Sequence, residues 1–550
     1  MTHKSLVWVV VILLAQAGSP SRAAGPDRKP NFLIILADDM GFSDAGCHGG
    51  EIETPNLDRL AADGLRFTRF YNTARCWPSR AALLTGYYAQ QVRMDPPEGR
   101  LPPWTRVLPH YLKPLGYRSY HSGKWHLSGA PRPVADGGFD HSYMLEDFDR
   151  SFAPRKHSED DRPLPAVAPG GGYYMTTAIA GHAIRFLKEH AREHPDKPFF
   201  QYLVFTSPHF PLRAPPEDIA RYRDRYVQGW DIVRQERWKR LRELGIIDCA
   251  LSEREPRTVP DWNLSEKELT RRIGSGEVGR AVAWNDLSTE QKAFQATKMA
   301  IHAAMVDRMD REIGRVLDQI KAMNALDDTL IIFATDNGAS AEQIIRGDGH
   351  DPAAPPGSAE TFLCLGPGWS TAANTPFRLH KSWVHEGGIA TPLIVKWTKG
   401  IAARGALRHD VGHLIDIVPT LLELAGVHAT ATWNGMPSPP LPGRSLVPTF
   451  VRDVAVEREP LFFSHVGNRA LREGDWKLVS SRENGNHWEL YDLGKDRCEA
   501  VDLAARQPER VRRMEAHWQE MNARFRQQSG SKASPKSKSR SSGTARAKTP

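Results

Sequence analysis

With 550 residues, 40% of them hydrophobic and 25% charged, the chain has an ordinary globular balance and enough length for a large α/β unit plus a smaller one. The formal net charge of +8 is concentrated at the C-terminus. There Lys532, Lys536, Lys538, Arg540, Arg546 and Lys548 sit in a Ser/Lys/Gly-rich tail with no acid, which leaves +2 for the rest. So neutral a body gives no indication of nucleic-acid binding.

The chain begins MTHKSLVWVVVILLAQAGSPSRA. Lys4, the apolar run over residues 6–17 and the small residues before Ala23 predict a secretory signal peptide over 1–23, and hence export to a periplasmic or extracellular space. The apolar run is short for a bilayer span, and no later segment has the length and apolarity for one. Export permits disulfides. Yet Cys47, Cys76, Cys249, Cys364 and Cys498 are odd in number and lack zinc-type spacing, so at least one thiol has no partner within the chain.

Four apolar, β-branched-rich runs predict buried strands of a mainly parallel sheet: NFLIILADD (31–39), PFFQYLVFTSPH (198–209), TLIIFATDNG (329–338) and TPLIVKW (391–397). Helical patterns over 54–67, 176–193 and 298–323 alternate with them, which predicts a large α/β sheet sandwiched by helices. Residues 216–291 are charged and Trp/Arg-rich and predict a helical insertion over the sheet, with a solvated amphipathic face as its simplest account. The Gly/Pro/Ala-rich stretch 347–374 predicts a long loop. Beyond the loop 437–445, alternating short strands predict a small antiparallel sheet, then a helix over about 507–525. The expected division is an α/β domain over 24–436, an α+β unit over 437–526 and a disordered basic tail over 527–550.

Three of the strand candidates end in polar residues: Asp38-Asp39, Ser207-Pro208-His209 and Asp336-Asn337. In open parallel sheets ligands bind beyond the carboxyl ends of the strands, so these groups are expected in one crevice. A lone Asp-Asn pair is most simply a cap or turn former. Two pairs at two strand ends, three of the four side chains anionic, point instead to a hard cation, with calcium ahead of magnesium in an exported protein. Lys124 and His126 in SGKWHL, an i, i+2 pair that an extended segment points to one side, His209 in TSPHFPL and Lys381 in FRLHKSWVHEGG add cationic or titratable groups.

As a set, these residues resemble the sulfatase family of the alkaline-phosphatase-like superfamily, from about residue 30 to 525. The most specific match is C-x-P-S-R-x-x-L-L-T-G, here Cys76, Pro78, Ser79, Arg80 and residues 83–86; GKWHL, the early DD and the later TDNG match further motifs, and HEGG-x-x-TP looks most like the bacterial arylsulfatases. The resemblance implies that a formylglycine-generating enzyme converts Cys76 to Cα-formylglycine, whose hydrate attacks sulfur with one hydroxyl and releases sulfate through the other. It implies that Asp38, Asp39, Asp336 and Asn337 hold calcium together with residue 76. It further implies that Arg80 stabilises the nucleophile, that Lys124, His209 and Lys381 bind sulfate, that His126 takes a proton and that His209 protonates the leaving alcohol. Two positions depart from the family pattern: Ala390 in EGGIATP, where many relatives carry arginine, and Ser464, where an acid is frequent. His465 and Asn468 are candidates to approach the substrate from the C-terminal sheet.

The same motif and cradle occur in related phosphonate monoester and phosphodiester hydrolases, which form the second reading. A non-catalytic binder of sulfated polymers, motivated by the basic tail, is a distant third because every expected catalytic position is filled. Aryl sulfates and sulfated carbohydrates both remain as substrate classes.

Overall fold

Ten strands form one sheet: β1 (Asn31–Asp38), β2 (Leu65–Tyr71), β3 (Arg118–Gly123), β4 (His141–Leu145), β5 (His157–Glu159), β6 (Arg162–Pro163), β7 (Phe199–Pro208), β8 (Thr329–Thr335), β9 (Ala390–Lys396) and β10 (Ala406–His413). Their spatial order is β10-β2-β9-β8-β1-β7-β3-β4-β5-β6. The computed structural model describes residues 29–530; the expected signal peptide and the tail beyond Gly530 lie outside the described residues.

The strands read as unbroken apolar runs because both faces of the sheet are covered. Along β1, Leu33, Ile35 and Ala37 enter one core with the helices Met175–Glu193 and Thr289–Ala322. The intervening Phe32, Ile34 and Leu36 enter a second core with the helices Cys76–Thr85, Ile417–Leu424 and Pro508–Ser529. This two-residue alternation recurs in β7 and β8. The run β8-β1-β7-β3-β4 is parallel throughout. β9 is the exception among the expected strands, antiparallel to both β2 and β8.

After a two-strand hairpin, β11 (Thr432–Trp433) with β12 (Met436–Pro437), the expected small antiparallel sheet appears in the order β13 (Leu461–His465), β14 (Asn468–Glu473), β15 (Trp476–Ser480), β16 (Trp488–Asp492). Met514, Trp518, Met521 and Phe525, at helical spacing, cover one of its faces. That helix runs to Ser529, so the expected disordered tail starts too early. Trp104 Nε1 donates to Gln528 O at 3.1 Å and Arg93 Nε to Ser529 O at 2.6 Å, which pins the last turn.

Two other expectations change. The stretch 347–374 is not all loop: it contains the helix Gly366–Ala373, whose eight residues are all buried. Its small residues explain the close fit, since a Cβ on Gly368 would lie 2.7 Å from the Trp230 ring. Nor does the insertion present a simple solvated face. In its helix Trp230–Glu243, Trp230 packs edge-on against Trp284 and Trp369, with ring centroids 4.8 and 5.6 Å away. Arg237 is fully buried and bonds Asp44 and Glu51 at 2.7 and 2.8 Å. Cys249 is disulfide-bonded to Cys498, linking the insertion to the segment after β16.

The small sheet docks on the large one through a buried charge network. Lys477 Nζ lies 2.9 Å from Glu386 and 2.7 Å from Glu499, and Tyr71 donates to Glu386 at 2.8 Å. Burial opposes ionisation of Glu386, but Lys477, Arg497 and Arg472 outweigh it and bring its carboxyl down to about 2. A depressed carboxylate stabilises the fold above its ordinary value of 4.5, and that contribution is lost as pH falls toward 2. Glu386→Gln is therefore expected to cost about 3 kcal/mol or more at neutral pH, as removal of one partner of a buried pair does, and to flatten the acid limb. Urea denaturation at a series of pH values checks both.

Candidate active site

A regular strand sends successive side chains to opposite faces. Asp38 ends β1 in that geometry, but Asp39 has φ of 64°, a left-handed turn that brings the second carboxylate to the same end of the sheet. The neighbouring β8 delivers Asp336 and Asn337 one step later. Asn337 Nδ2 donates to Asp39 Oδ1 at 2.7 Å, and the Asp39 N–H faces Asp336 Oδ1 at 3.4 Å. The crossing behind them leaves no room for a side chain, because a Cβ on Gly338 would lie 1.9 Å from the Gly387 carbonyl oxygen.

Cys76 is the first residue of the helix Cys76–Thr85, which ends at Gly86 with φ of 76°. Pro78 is tolerated because the N–H groups of the first turn have no partner within the helix. Ser79 Oγ accepts from the Thr73 N–H at 3.0 Å and ties the turn that enters the helix. One turn on, Arg80 is fully buried and fully used: Nε and Nη2 bond Asp336 at 3.1 and 2.7 Å, Nη2 lies 3.5 Å from Asp38, and Nη1 donates to Lys124 O at 2.6 Å.

Lys124, just past β3, reaches Asp38 at 2.5 Å. His126 arrives by a left-handed turn, φ 53°, rather than as the expected extended pair with Lys124, and its ring packs edge-on against Trp77 at 5.7 Å. His209, directly after β7, puts Nε2 3.7 Å from Asp39. Lys381 Nζ lies 2.7 Å from Asp39 and 3.3 Å from Glu342. Nine of the ten site residues expected from the sequence thus belong to one buried cluster, and His126 stands half-buried at its edge. His465 and Asn468 stand beside it: His465 bonds Asp95 at 3.0 Å and packs on Trp77, and Asn468 Nδ2 donates to Ser382 O at 2.7 Å.

The sequence did not announce the surrounding ring. Glu342 bridges Lys381 to Arg75, which it meets at 3.0 Å, and accepts from Trp262 Nε1 at 2.8 Å. Phe148 lies under Lys124, with Nζ 4.2 Å from its ring centroid, and edge-on to His209 at 5.7 Å. Arg75 and Trp77 flank Cys76 in sequence, and that adjacency was the one available signal. Glu342, Phe148 and Trp262 carry none.

The charges are out of balance in one direction. Burial and the proximity of Asp38 push the Asp336 carboxyl up to about 7, and burial raises that of Asp39 as well. Asp38 goes the other way: burial is outweighed by Lys124, His209 and Arg80, which hold it well below the carboxylate range. Asp38 Oδ1 and Asn337 Oδ1 are buried with no hydrogen-bond partner among the described residues. Donor atoms of Asp38, Cys76 and Asp336 lie within 4.8 Å of one another, as do those of Asp38, Asp39 and His209. Unsatisfied carboxylate and amide oxygens around one point fit a hard divalent cation. Burial, with Lys381 and Lys124, drives His209 well below its ordinary value; burial, with Lys124 and Arg80, does the same to His126. Burial raises the Cys76 thiol.

The Sulfatase family profile matches residues 30–427, all of the large sheet and its site, and the profile "N-sulphoglucosamine sulphohydrolase, C-terminal" matches 377–527. The chain belongs to the sulfatase family. This sulfatase is 32% identical to an uncharacterized sulfatase of Schizosaccharomyces pombe, over 89% of its own length and 93% of that protein's. It is 30% identical to an arylsulfatase of Klebsiella aerogenes, over 81% and 96%. The crystal structure of Ps i-CgsB in complex with k-i-k-neocarrahexaose shares the fold at TM-score 0.63 and 22% identity, over 91% of this chain and 94% of that one. The fold is alkaline-phosphatase-like, and the activity of the family is hydrolysis of sulfuric esters.

Because the Gly338 position admits no Cβ, Gly338→Ala is expected to displace Asp336 and Asn337. Sulfatase activity should fall at least a hundredfold while the far-ultraviolet circular dichroism stays native.

Proposed function

We propose that the chain is an exported sulfatase that hydrolyses sulfate monoesters of aryl alcohols or sugars, with residue 76 carried as formylglycine and a calcium ion held by Asp38, Asp39, Asp336, Asn337 and residue 76. The supporting observation is the meeting of Cys76, at a helix N-terminus, with a buried carboxylate cluster ringed by Arg80, Lys124, His126, His209 and Lys381. When present, the cation supplies Lewis acidity and the hydrated aldehyde supplies two hydroxyls on one carbon, one for attack on sulfur and one for sulfate release.

The chain's own residues do the remaining work. Lys124, Lys381 and the first turn of the helix Cys76–Thr85 offer positive potential to sulfate oxygens that gain charge during transfer. Arg80 holds Asp38 and Asp336 in place and favours the ionised form of each. His126 receives a proton and His209 gives one to the leaving alcohol. Burial and the two lysines hold His209 neutral at rest; a bound sulfate opposes that bias and loads the proton when it is needed. The raised thiol of Cys76 disfavours a thiolate nucleophile, which supports conversion of the residue. Cys76 is only 3% exposed, so a formylglycine-generating enzyme would act on it before the fold closes.

Export rests on the sequence of residues 1–23, and no described helix is long and apolar enough to cross a membrane. We assign catalysis to the domain 24–436, with its insertion 216–291, and support of it to 437–526.

Purified enzyme is expected to turn over 4-nitrophenyl sulfate faster than a phenyl phosphonate monoester. Rapid phosphonate cleavage with the sulfate inert would assign the chain to the phosphonate hydrolases instead. His209→Ala should cost about 10²–10⁴ in kcat on a sugar sulfate, whose alkoxide needs a proton, and far less on 4-nitrophenyl sulfate. Peptide mass spectrometry of the mature protein should show residue 76 with an aldehyde in place of its thiol-bearing methylene. Full activity from protein carrying only unmodified Cys76 contradicts the nucleophile.

A further inference from the structure

The insertion contributes one residue to the rim of the site. Trp262 is 39% exposed although its neighbours are fastened down. Asn263 Nδ2 donates to Ala341 O at 3.0 Å and its Oδ1 accepts from the Gln343 N–H at 2.9 Å, Leu264 N–H donates to Gln343 O at 2.9 Å, and Asp261 is paired with Arg482. Its own Nε1 is fixed on Glu342, which also bridges Lys381 and Arg75. The Arg75 guanidinium carbon lies 5.3 Å from the ring centroid of Trp77 and 5.8 Å from that of Trp262. Two indoles thus lie against one guanidinium, that of the residue preceding Cys76.

This rim differs in chemistry from the floor. Below are Lys124, Lys381 and the histidines, suited to the sulfate group. Above is a row of planar groups in which Glu342 balances Arg75 and the indole of Trp262 stays open to solvent. A ring held rigidly by its N–H loses little freedom when a second ring stacks on it. We propose that Trp262, with Arg75 and Trp77 behind it, is a specificity-determining wall that stacks the ring of the leaving group, so that the enzyme prefers sulfates carried on a six-membered ring with an apolar face. This rests on the sulfate-ester reading above. An aromatic ring and a pyranose share that face, and the experiment separates them.

KM and kcat are measured for 4-nitrophenyl sulfate and for glucosamine 6-sulfate, with wild type, Trp262→Ala and Trp262→Phe. Inorganic sulfate, which has no ring, is titrated as a competitive inhibitor of each. Trp262→Ala is expected to raise KM about five- to tenfold on the preferred ring substrate, with sulfate inhibition unchanged within twofold. Trp262→Phe, which keeps a ring and loses the N–H, should recover most of the loss. The larger effect, on the aryl or the sugar ester, names the source of the ring. An unchanged KM overturns the proposal. So does a parallel rise in KM and in the sulfate inhibition constant, because Trp262 would then act through Glu342 on Lys381. A wild type inert toward every sulfate ester removes the function reading itself, a failure distinct from that of the wall.

Discussion

Three carboxylates at the ends of two adjacent strands, all buried, are the constraint that organises this molecule. Asp38, Asp39 and Asp336 repel one another in a medium that screens little, and the fold answers with buried cations. Arg80 spans Asp336 and Asp38, Lys124 holds Asp38 and Lys381 holds Asp39. Each of those cations is costly to bury and is acceptable only because its donors are occupied. Even so, Asp336 and Asp39 stay on the protonated side of ordinary behaviour, and two oxygens have no partner among the described residues. Those two oxygens and the acids around them form a set of groups that could hold a cation.

The outer parts of the chain become intelligible from there. Asp44, in the loop leaving the cluster, accepts from the Gly41 N–H at 2.9 Å and is clamped by Arg237 of the insertion and by His302, 2.7 and 3.0 Å away. The insertion therefore braces the acidic loop from outside, then continues to Trp262 on the rim. The C-terminal sheet is a second brace: Glu386 opens the short turn leading into β9, and Lys477 of β15 and Glu499 fix it. Both supports use buried ion pairs where an ordinary core would use aliphatic packing. Such pairs give fixed geometry more than stability.

Much of this was legible in the sequence because it depends on local pattern. Unbroken apolar runs ending in Asp-Asp and Asp-Asn announce covered strands whose polar ends converge, and C-x-P-S-R picks out the segment that meets them. What was not legible depends on distant contacts. The left-handed turn at Asp39 brings together two carboxylates that strand periodicity would separate, and the one at His126 replaces the extended pairing with Lys124. The insertion has the composition of a solvated helix, yet Arg237 and Trp230 are buried because their partners, Asp44, Glu51 and Trp369, lie far along the chain. The helix Gly366–Ala373 hides in a loop-like composition because small residues there serve contact with Trp230. Glu342 looks like any surface acid until Lys381 and Arg75 are seen on either side of it.

The most direct measurement on the central claim is calcium binding by chelator-stripped protein, followed by calorimetric titration and thermal unfolding. One calcium per chain should bind, and saturation at a hundredfold excess over Kd should add about 2.7 kcal/mol of stability. Asp38→Asn, which keeps the shape and removes one charge, should weaken binding by at least tenfold. A stripped protein that binds no divalent cation, gains no stability from calcium and retains full sulfatase activity would contradict the account.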